Sequence, residues 1–328
     1  MELSAPLHIH WEITNKCNFN CMQCYQKNDE TKLMLTNDEI IAVATKIVDA
    51  KIFQVSISGG EPFMVPVLYD VVRMFKENGI DVLICSNGSC IDEKSIQILE
   101  KYRIPIQISL DSYIRDKNNE IRGNIKAFDL AIGAIQQLVK REVDVSVAFC
   151  ASKYNYMDFL GVADLCASLN VKKLVLGEML PVRGDSENKN LFGKVDYVNF
   201  LQEAKNAKTV LSDKINIYIN CNWGFIIDET FDHAPCTALD RDCAILYNGY
   251  VVPCPFIRNP QYYLGNILHE SIKEIWHNSK NSYFYKYKHS GCDKSCSYYV
   301  KCMSGCKAEL ANENLGLERR DPRCIRQI

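Results

Sequence analysis

Cys17, Cys21 and Cys24 form a C-x3-C-x2-C loop directly after an apolar segment that reads as a strand. Three thiolates held by so short a loop can ligate three irons of a four-iron cluster and leave the fourth iron open to an exchangeable ligand, because soft sulfur donors favour iron–sulfur and zinc sites. The alternatives are a structural zinc site, which ordinarily wants four protein ligands, or three unrelated buried cysteines. After the next expected strand stands Ser58-Gly59-Gly60-Glu61-Pro62, where two glycines let the backbone approach a ligand and a carboxylate is presented at a strand end. By itself this is a tight turn. One βα unit beyond a three-cysteine loop, it is hard to obtain by accident.

A second group of cysteines comes late in the chain. Cys236, Cys243 and Cys254 are followed by Cys292, Cys296, Cys302 and Cys306 and, after seventeen intervening residues, by Cys324. Eight cysteines are enough for two complete four-iron clusters, and two zinc sites would stabilise the fold equally well without redox function. Cys85, Cys90, Cys150, Cys166 and Cys221 fall outside both groups and read as small buried hydrophobes. With 16 cysteines in 328 residues, metal binding or catalysis is a better reading than disulfides. The N-terminal MELSAPLHIHWEIT has no basic segment leading into an apolar run, and no later run could span a bilayer, so a cytoplasmic location is expected. Lys and Arg total 38 against 40 Asp and Glu, which gives no drive toward nucleic acid or an anionic membrane. At 47% hydrophobic and 24% charged, the chain has the balance of an ordinary globular protein.

The cysteine triplet and the glycine turn together resemble the radical SAM superfamily, over about the first two-thirds of the chain. The resemblance implies that Cys17, Cys21 and Cys24 ligate a four-iron cluster whose open iron takes S-adenosylmethionine (SAM). It further implies contacts to SAM from Gly59, Gly60, Glu61 and Pro62, and from Asn87, Ser109, Asp111 and Arg122 beyond later strands. Arg122 suits a carboxylate because a planar guanidinium binds one bidentately. One departure is Gln23, at a position often aromatic in the family, which puts adenine packing there in doubt. The late cysteines resemble the SPASM auxiliary-cluster module, except that three residues instead of two separate Cys292 from Cys296. By that resemblance Cys236, Cys243, Cys254 and Cys306 hold one four-iron cluster and Cys292, Cys296, Cys302 and Cys324 another, making three clusters in all.

The implied chemistry is reductive cleavage of SAM to a 5′-deoxyadenosyl radical that takes hydrogen from substrate. Oxidative modification of a ribosomally made peptide or a protein side chain is the preferred reading. The alternatives are radical modification of a small molecule, such as a tetrapyrrole side chain, and a non-catalytic iron–sulfur electron carrier. A flavodoxin- or ferredoxin-type reductant is implied, and because the barrel begins within ten residues a peptide substrate is expected to be recognised either by the barrel mouth and SPASM surface or with help from a separate peptide-recognition protein. Cys150 and Glu178 are the candidates for catalytic groups facing substrate, with Arg183 flanking the same strand end.

These loops need a scaffold that gathers strand ends. Short apolar segments at 7–14, 53–58, 81–86, 106–110, 144–149 and 173–178 alternate with amphipathic stretches, the pattern of repeated βα units. Several are rich in Ile and Val on both faces, as helix-covered strands should be. Thr36 to Glu39 reads as a capping box, and Gly79 as a helix stop. Helices are expected near 67–78, 91–102, 125–139, 156–169 and 195–207. The expectation is α/β: a partial (β/α)6 TIM-like barrel over 1–214, a linker over 215–234 and a small cysteine-rich SPASM domain over 235–328. A flat doubly wound sheet would give the same alternation.

Overall fold

A computed structural model describes residues 3–26, 33–182, 188–219, 236–302 and 304–324. Its strands are β1 His8–Thr14, β2 Gln54–Gly59, β3 Asp81–Ser86, β4 Ile106–Ser109, β5 Val145–Ala151, β6 Lys173–Glu178 and β7 Asn216–Ile219. They lie side by side in chain order and pair in parallel throughout. A doubly wound sheet reverses its strand order at a switch point. No reversal occurs here, so the topology is that of an opened barrel. After the strands come helices α1 Asn37–Asp49, α2 Leu68–Glu77, α3 Glu93–Lys101, α4 Arg115–Arg122, α5 Ala127–Lys140, α6 Phe159–Ser168 and α7 Lys194–Val210.

Local signals set these helices. In α1 the Glu39 N–H donates to Thr36 Oγ1 at 3.3 Å and the Thr36 N–H donates to Glu39 Oε2 at 2.8 Å, closing the expected capping box. Ile40, Val43, Ala44 and Ile47 then form the buried stripe that docks α1 on the sheet. Helix α4 was not expected. Its sequence, RDKNNEIR, buries only Asn118 and Ile121 and so carries no apolar stripe.

The two faces of the sheet differ more than the sequence suggests. Paired residues share a face, so Ile9, Trp11 and Ile13 of β1 lie with Val55 and Ile57 of β2 on the helix-covered side, all buried. His8, His10 and Glu12 lie with Ser56 and Ser58 on the other, concave side. Further along, the concave side carries Gln107, Ser109, Ala148 and Cys150. The barrel therefore has an apolar outer layer and a polar inner wall.

The C-terminal part is not a free-standing module. Strand β8, Asp242–Ile245, pairs in parallel with β1, and β9 Tyr250–Val252 and β10 Gly265–Asn266 extend the sheet beyond it. The span expected as a linker contains β7, paired to β6, while 220–235 lies outside the described residues, as do Arg183 and Cys221. Helix α8, Ile272–Ser279, supplies Ile272, Ile275 and Trp276 to the same core that holds the barrel strands. Among the described residues no helix is long and apolar enough to cross a membrane.

Candidate functional site

The cysteine loop is wedged between two backbone contacts that only glycine permits. Gly60 donates to Thr14 O at 2.7 Å and Glu61 donates to Lys16 O at 2.8 Å. A Cβ on Gly60 would stand 2.0 Å from Lys16 O. On the other side Met22 donates to Ile121 O at 2.7 Å, and Gly123, at φ +60, would set a Cβ 2.1 Å from Asn20 O. The two glycine positions thus serve the chain's own loop packing. They fix the loop that carries Cys17, Cys21 and Cys24.

Glu61 sits differently from the expectation. Its carboxylate is fully buried and accepts from Ser86 Oγ at 2.8 Å, the Asn87 N–H at 2.8 Å and the Phe63 N–H at 3.2 Å. Desolvation raises its pKa, opposed by those three donors. Glu61 is thus a strut between the ends of β2 and β3.

Around the loop the later strands supply polar groups. Asn87 Nδ2 reaches Cys17 Sγ at 3.7 Å and the Phe19 N–H reaches it at 3.4 Å. Asp111, at the end of β4, takes Arg122 Nη1 at 3.0 Å, Gln23 Nε2 at 2.5 Å and the Cys150 N–H at 2.8 Å. Gln23, which the sequence only placed in doubt, is thus tied to the acidic group of the site. Two atoms in this ring are buried without a hydrogen-bond partner: Arg122 Nε and Gln23 Oε1. Orphaned polar atoms at a strand end ask for a polar ligand. Ser109 lies half-buried on the concave wall, and Pro62 begins the short turn after Glu61. Burial raises the Cys150 thiol, with Asp111, Arg122, Glu178 and Cys21 all within electrostatic reach, so Cys150 lies at the heart of the site.

The residues present fit an iron–sulfur cluster at the loop. Burial pushes Cys21 up to about 11, with Arg122 opposing and Asp111, Cys24 and Cys17 adding to the rise, so a thiol here stays protonated near neutrality unless a metal displaces the proton. Cys24 is raised in the same way and feels Cys17. Three sulfurs from one short loop suit a cluster that keeps one iron open, whereas a structural zinc ordinarily wants four protein ligands.

The late cysteines divide. Cys254 is pushed well up by burial, then by Cys306 and Cys236, and Cys306 is raised to about 12 by burial with Cys236 among its neighbours. These three converge. Cys243 does not join them: it lies on β8 opposite Ile9, in an apolar pocket with Ile245, Leu264, Ile275 and Trp276. Burial lifts its thiol to about 12, with Asp242 adding to the rise. Because strand side chains alternate, Cys243 faces the helix-covered side. The buried Lys307 ammonium is lowered by desolvation and feels Cys292, Cys306 and Cys302. Cys324 packs half-buried against the same core as Cys302 and Cys306, and Cys296 is half-buried nearby in sequence.

Two ion-pair systems that the sequence did not reveal join this part to the barrel. Arg258 binds Glu12 through both terminal nitrogens, with Tyr25 lying against its guanidinium at 5.0 Å. Arg323 binds Glu178 at 3.1 Å, Glu309 at 3.2 Å and Asp321 at 3.2 Å, all buried. Glu178 is thereby committed to a structural pair. The one available signal was a charged residue inside the apolar run of β1, at Glu12.

Two family models match the chain: the radical SAM superfamily over residues 11–166 and an iron–sulfur cluster-binding domain, SPASM, over 236–303. Mycofactocin maturase MftC of Mycobacterium tuberculosis is 25% identical over 98% of this chain and 84% of its own length. The AdoMet-dependent heme synthase of Methanosarcina barkeri is 22% identical over 98% of this chain and 97% of its own. Streptococcus suis SuiB, solved with S-adenosylmethionine and with precursor peptide SuiA, superposes with a TM-score of 0.81 in each case. Identity is 20% and 19%, over 98% of this chain and 78% and 76% of that one.

Proposed function

The chain belongs to the radical SAM superfamily and carries a C-terminal SPASM domain, and from that premise we propose that it begins an oxidative modification of a peptide or protein side chain, such as a crosslink or a dehydrogenation. The observation that carries the reading is the meeting, at one end of the barrel, of the Cys17–Cys24 loop, the Asp111–Arg122 pair and Cys150. Cys17, Cys21 and Cys24 would hold the cluster that binds SAM. When bound there, the two supply reductive cleavage of the sulfonium bond and a 5′-deoxyadenosyl radical that takes hydrogen from substrate.

The chain's own residues position and shield. Arg122, oriented by Asp111 and with Nε still unpaired, offers a donor to the SAM carboxylate. The backbone from Gly59 through Pro62 and the groups of Asn87, Ser109 and Gln23 line the remainder, while Glu61 braces the turn. Cys236, Cys254 and Cys306 would hold a nearer auxiliary cluster, with Cys243 left out of its ligand set, and Cys292, Cys296, Cys302 and Cys324 a distal one. Arg258 acts on both Cys24 and Cys254, so a fixed cation stands between two sites that become anionic when loaded. Cys150, protonated and beside Asp111, is the candidate hydrogen donor to a substrate radical.

What supports a peptide substrate is the likeness to mycofactocin maturase over nearly the whole chain and to SuiB, solved with a precursor peptide. A flavodoxin- or ferredoxin-type protein would deliver the electron, and a separate protein would present the peptide. The heme synthase relative favours a second reading, a tetrapyrrole side chain, over the same span. Anaerobic incubation of the reconstituted enzyme with SAM, dithionite and the short peptides encoded beside its gene separates the two by mass spectrometry. Loss of hydrogen from a peptide supports the first. Unchanged peptides together with an altered iron coproporphyrin would replace it with the second.

A further inference from the structure

His8 and His10 occupy alternate positions at the start of β1 and so share its concave face. Asp242, the first residue of β8, pairs in register with His8 and points to the same side. One donor atom from each of the three lies within 4.8 Å of the other two. The separation between His8 Nδ1 and Asp242 Oδ2 is 4.0 Å. That is too long for a hydrogen bond; donors about 2.0–2.1 Å from one tetrahedral ion stand about 3.3 Å apart, so a small rotation of either side chain brings the pair to ligating distance.

Each ligand candidate has the environment a metal site needs. The other nitrogen of His8, Nε2, is held by Ser56 Oγ at 2.9 Å, which fixes the ring as a support to a ligating histidine does. The His10 ring stands 4.2 Å from that of His8. Asp242 Oδ2 also accepts from the Thr237 hydroxyl, which orients the carboxylate. Desolvation, aided by His8, depresses His10 to about 3, and desolvation also lowers His8 against the pull of Asp242. Both imidazoles are thus in the neutral form that ligates metal.

We propose that His8, His10 and Asp242 form a sulfur-free site for one first-row divalent ion, at the opposite end of β1 from the cysteine loop. Imidazole and carboxylate donors suit zinc or ferrous iron, with water completing the shell. The ion would clasp the first strand of the barrel to the first described strand of the C-terminal part. It would act independently of the clusters.

The test uses Zn²⁺ on the reconstituted, cluster-loaded protein, with a chelator of known zinc affinity as competitor. Wild type should retain one equivalent, and X-ray absorption should show a first shell of nitrogen and oxygen with imidazole scattering. His10→Gln and Asp242→Asn should weaken retention at least about tenfold with iron and sulfide contents unchanged, and Ser56→Ala by about tenfold through the lost support. Three results would overturn the site: no zinc held by wild type, equal retention in both variants, or a sulfur first shell. The absorption measurement needs no variant, so misfolding of one leaves the test intact.

Discussion

Arg258 grips Glu12 across 246 positions of sequence, Nη1 lying 3.0 Å from Oε2 while Nη2 meets Oε1, with both side chains buried. The pair ties the segment just past Cys254 to the first strand of the barrel. Gln26 adds a bond from Nε2 to Glu12 Oε2 at 3.0 Å, so the cysteine loop is joined to the same carboxylate.

Replacing Arg258 by Met should therefore destabilise the protein by about 3–5 kcal/mol, because it strands a buried carboxylate. Arg258→Met combined with Glu12→Gln should recover a large part of that loss. Chemical denaturation of the single and double variants, read as a thermodynamic cycle, measures the coupling.

Cys254 and Cys243 should behave oppositely. Cys254→Ala should lower bound iron and sulfide by up to one cluster's worth, whereas Cys243→Ala should leave both contents unchanged, since Cys243 faces Ile9 and the apolar pocket. Elemental analysis after anaerobic reconstitution reads the difference. Equal losses in the two variants would return Cys243 to the ligand set.

Gly60→Ala should displace the cysteine loop, because its Cβ would collide with Lys16 O. We expect a stability loss of more than about 1 kcal/mol and weakened loading of the N-terminal cluster. Gly133→Ala, inside helix α5 where a Cβ meets nothing within 4 Å, should leave cluster content untouched. Electron paramagnetic resonance of the reduced proteins distinguishes the two.

Glu309 gives a pH signature. One guanidinium, Arg323, faces Glu178, Glu309 and Asp321 in a buried setting, and desolvation pushes Glu309 up to about 8 despite that cation. The folded state then holds a proton that the unfolded state releases near its ordinary value, about 4.3. This contribution to stability is complete below the unfolded value and fades as pH rises through about 8. Stability should fall between about pH 5 and 8 in wild type more than in Glu309→Gln, and level off above that. Parallel declines in the two proteins would locate the titration elsewhere.

Much of this architecture is readable from local pattern. The Ile- and Val-rich strands lie within one or two residues of their expected bounds, and the Thr36–Glu39 box starts α1 where it should. What escaped was set by distant partners. Helix α4 is built from polar residues and is held by Asn118, whose side-chain oxygen accepts from the Asp111 N–H at 2.9 Å. The short β8 has its meaning only in register with β1. At the site the cysteine loop and Arg122 were legible because their chemistry lies in residue type and spacing. The commitment of Glu61 to Ser86 and Asn87, and the turning of Cys243 to the other face, depend on which side of a strand meets which neighbour.

The most direct test is SAM turnover by the cluster-loaded protein. With oxygen excluded, SAM and dithionite should yield 5′-deoxyadenosine and methionine, and Cys24→Ala should abolish both products while the auxiliary clusters stay loaded. Undiminished 5′-deoxyadenosine from the Cys24→Ala protein, or none from a wild type carrying its full iron and sulfide, would contradict the assignment of the Cys17–Cys24 loop.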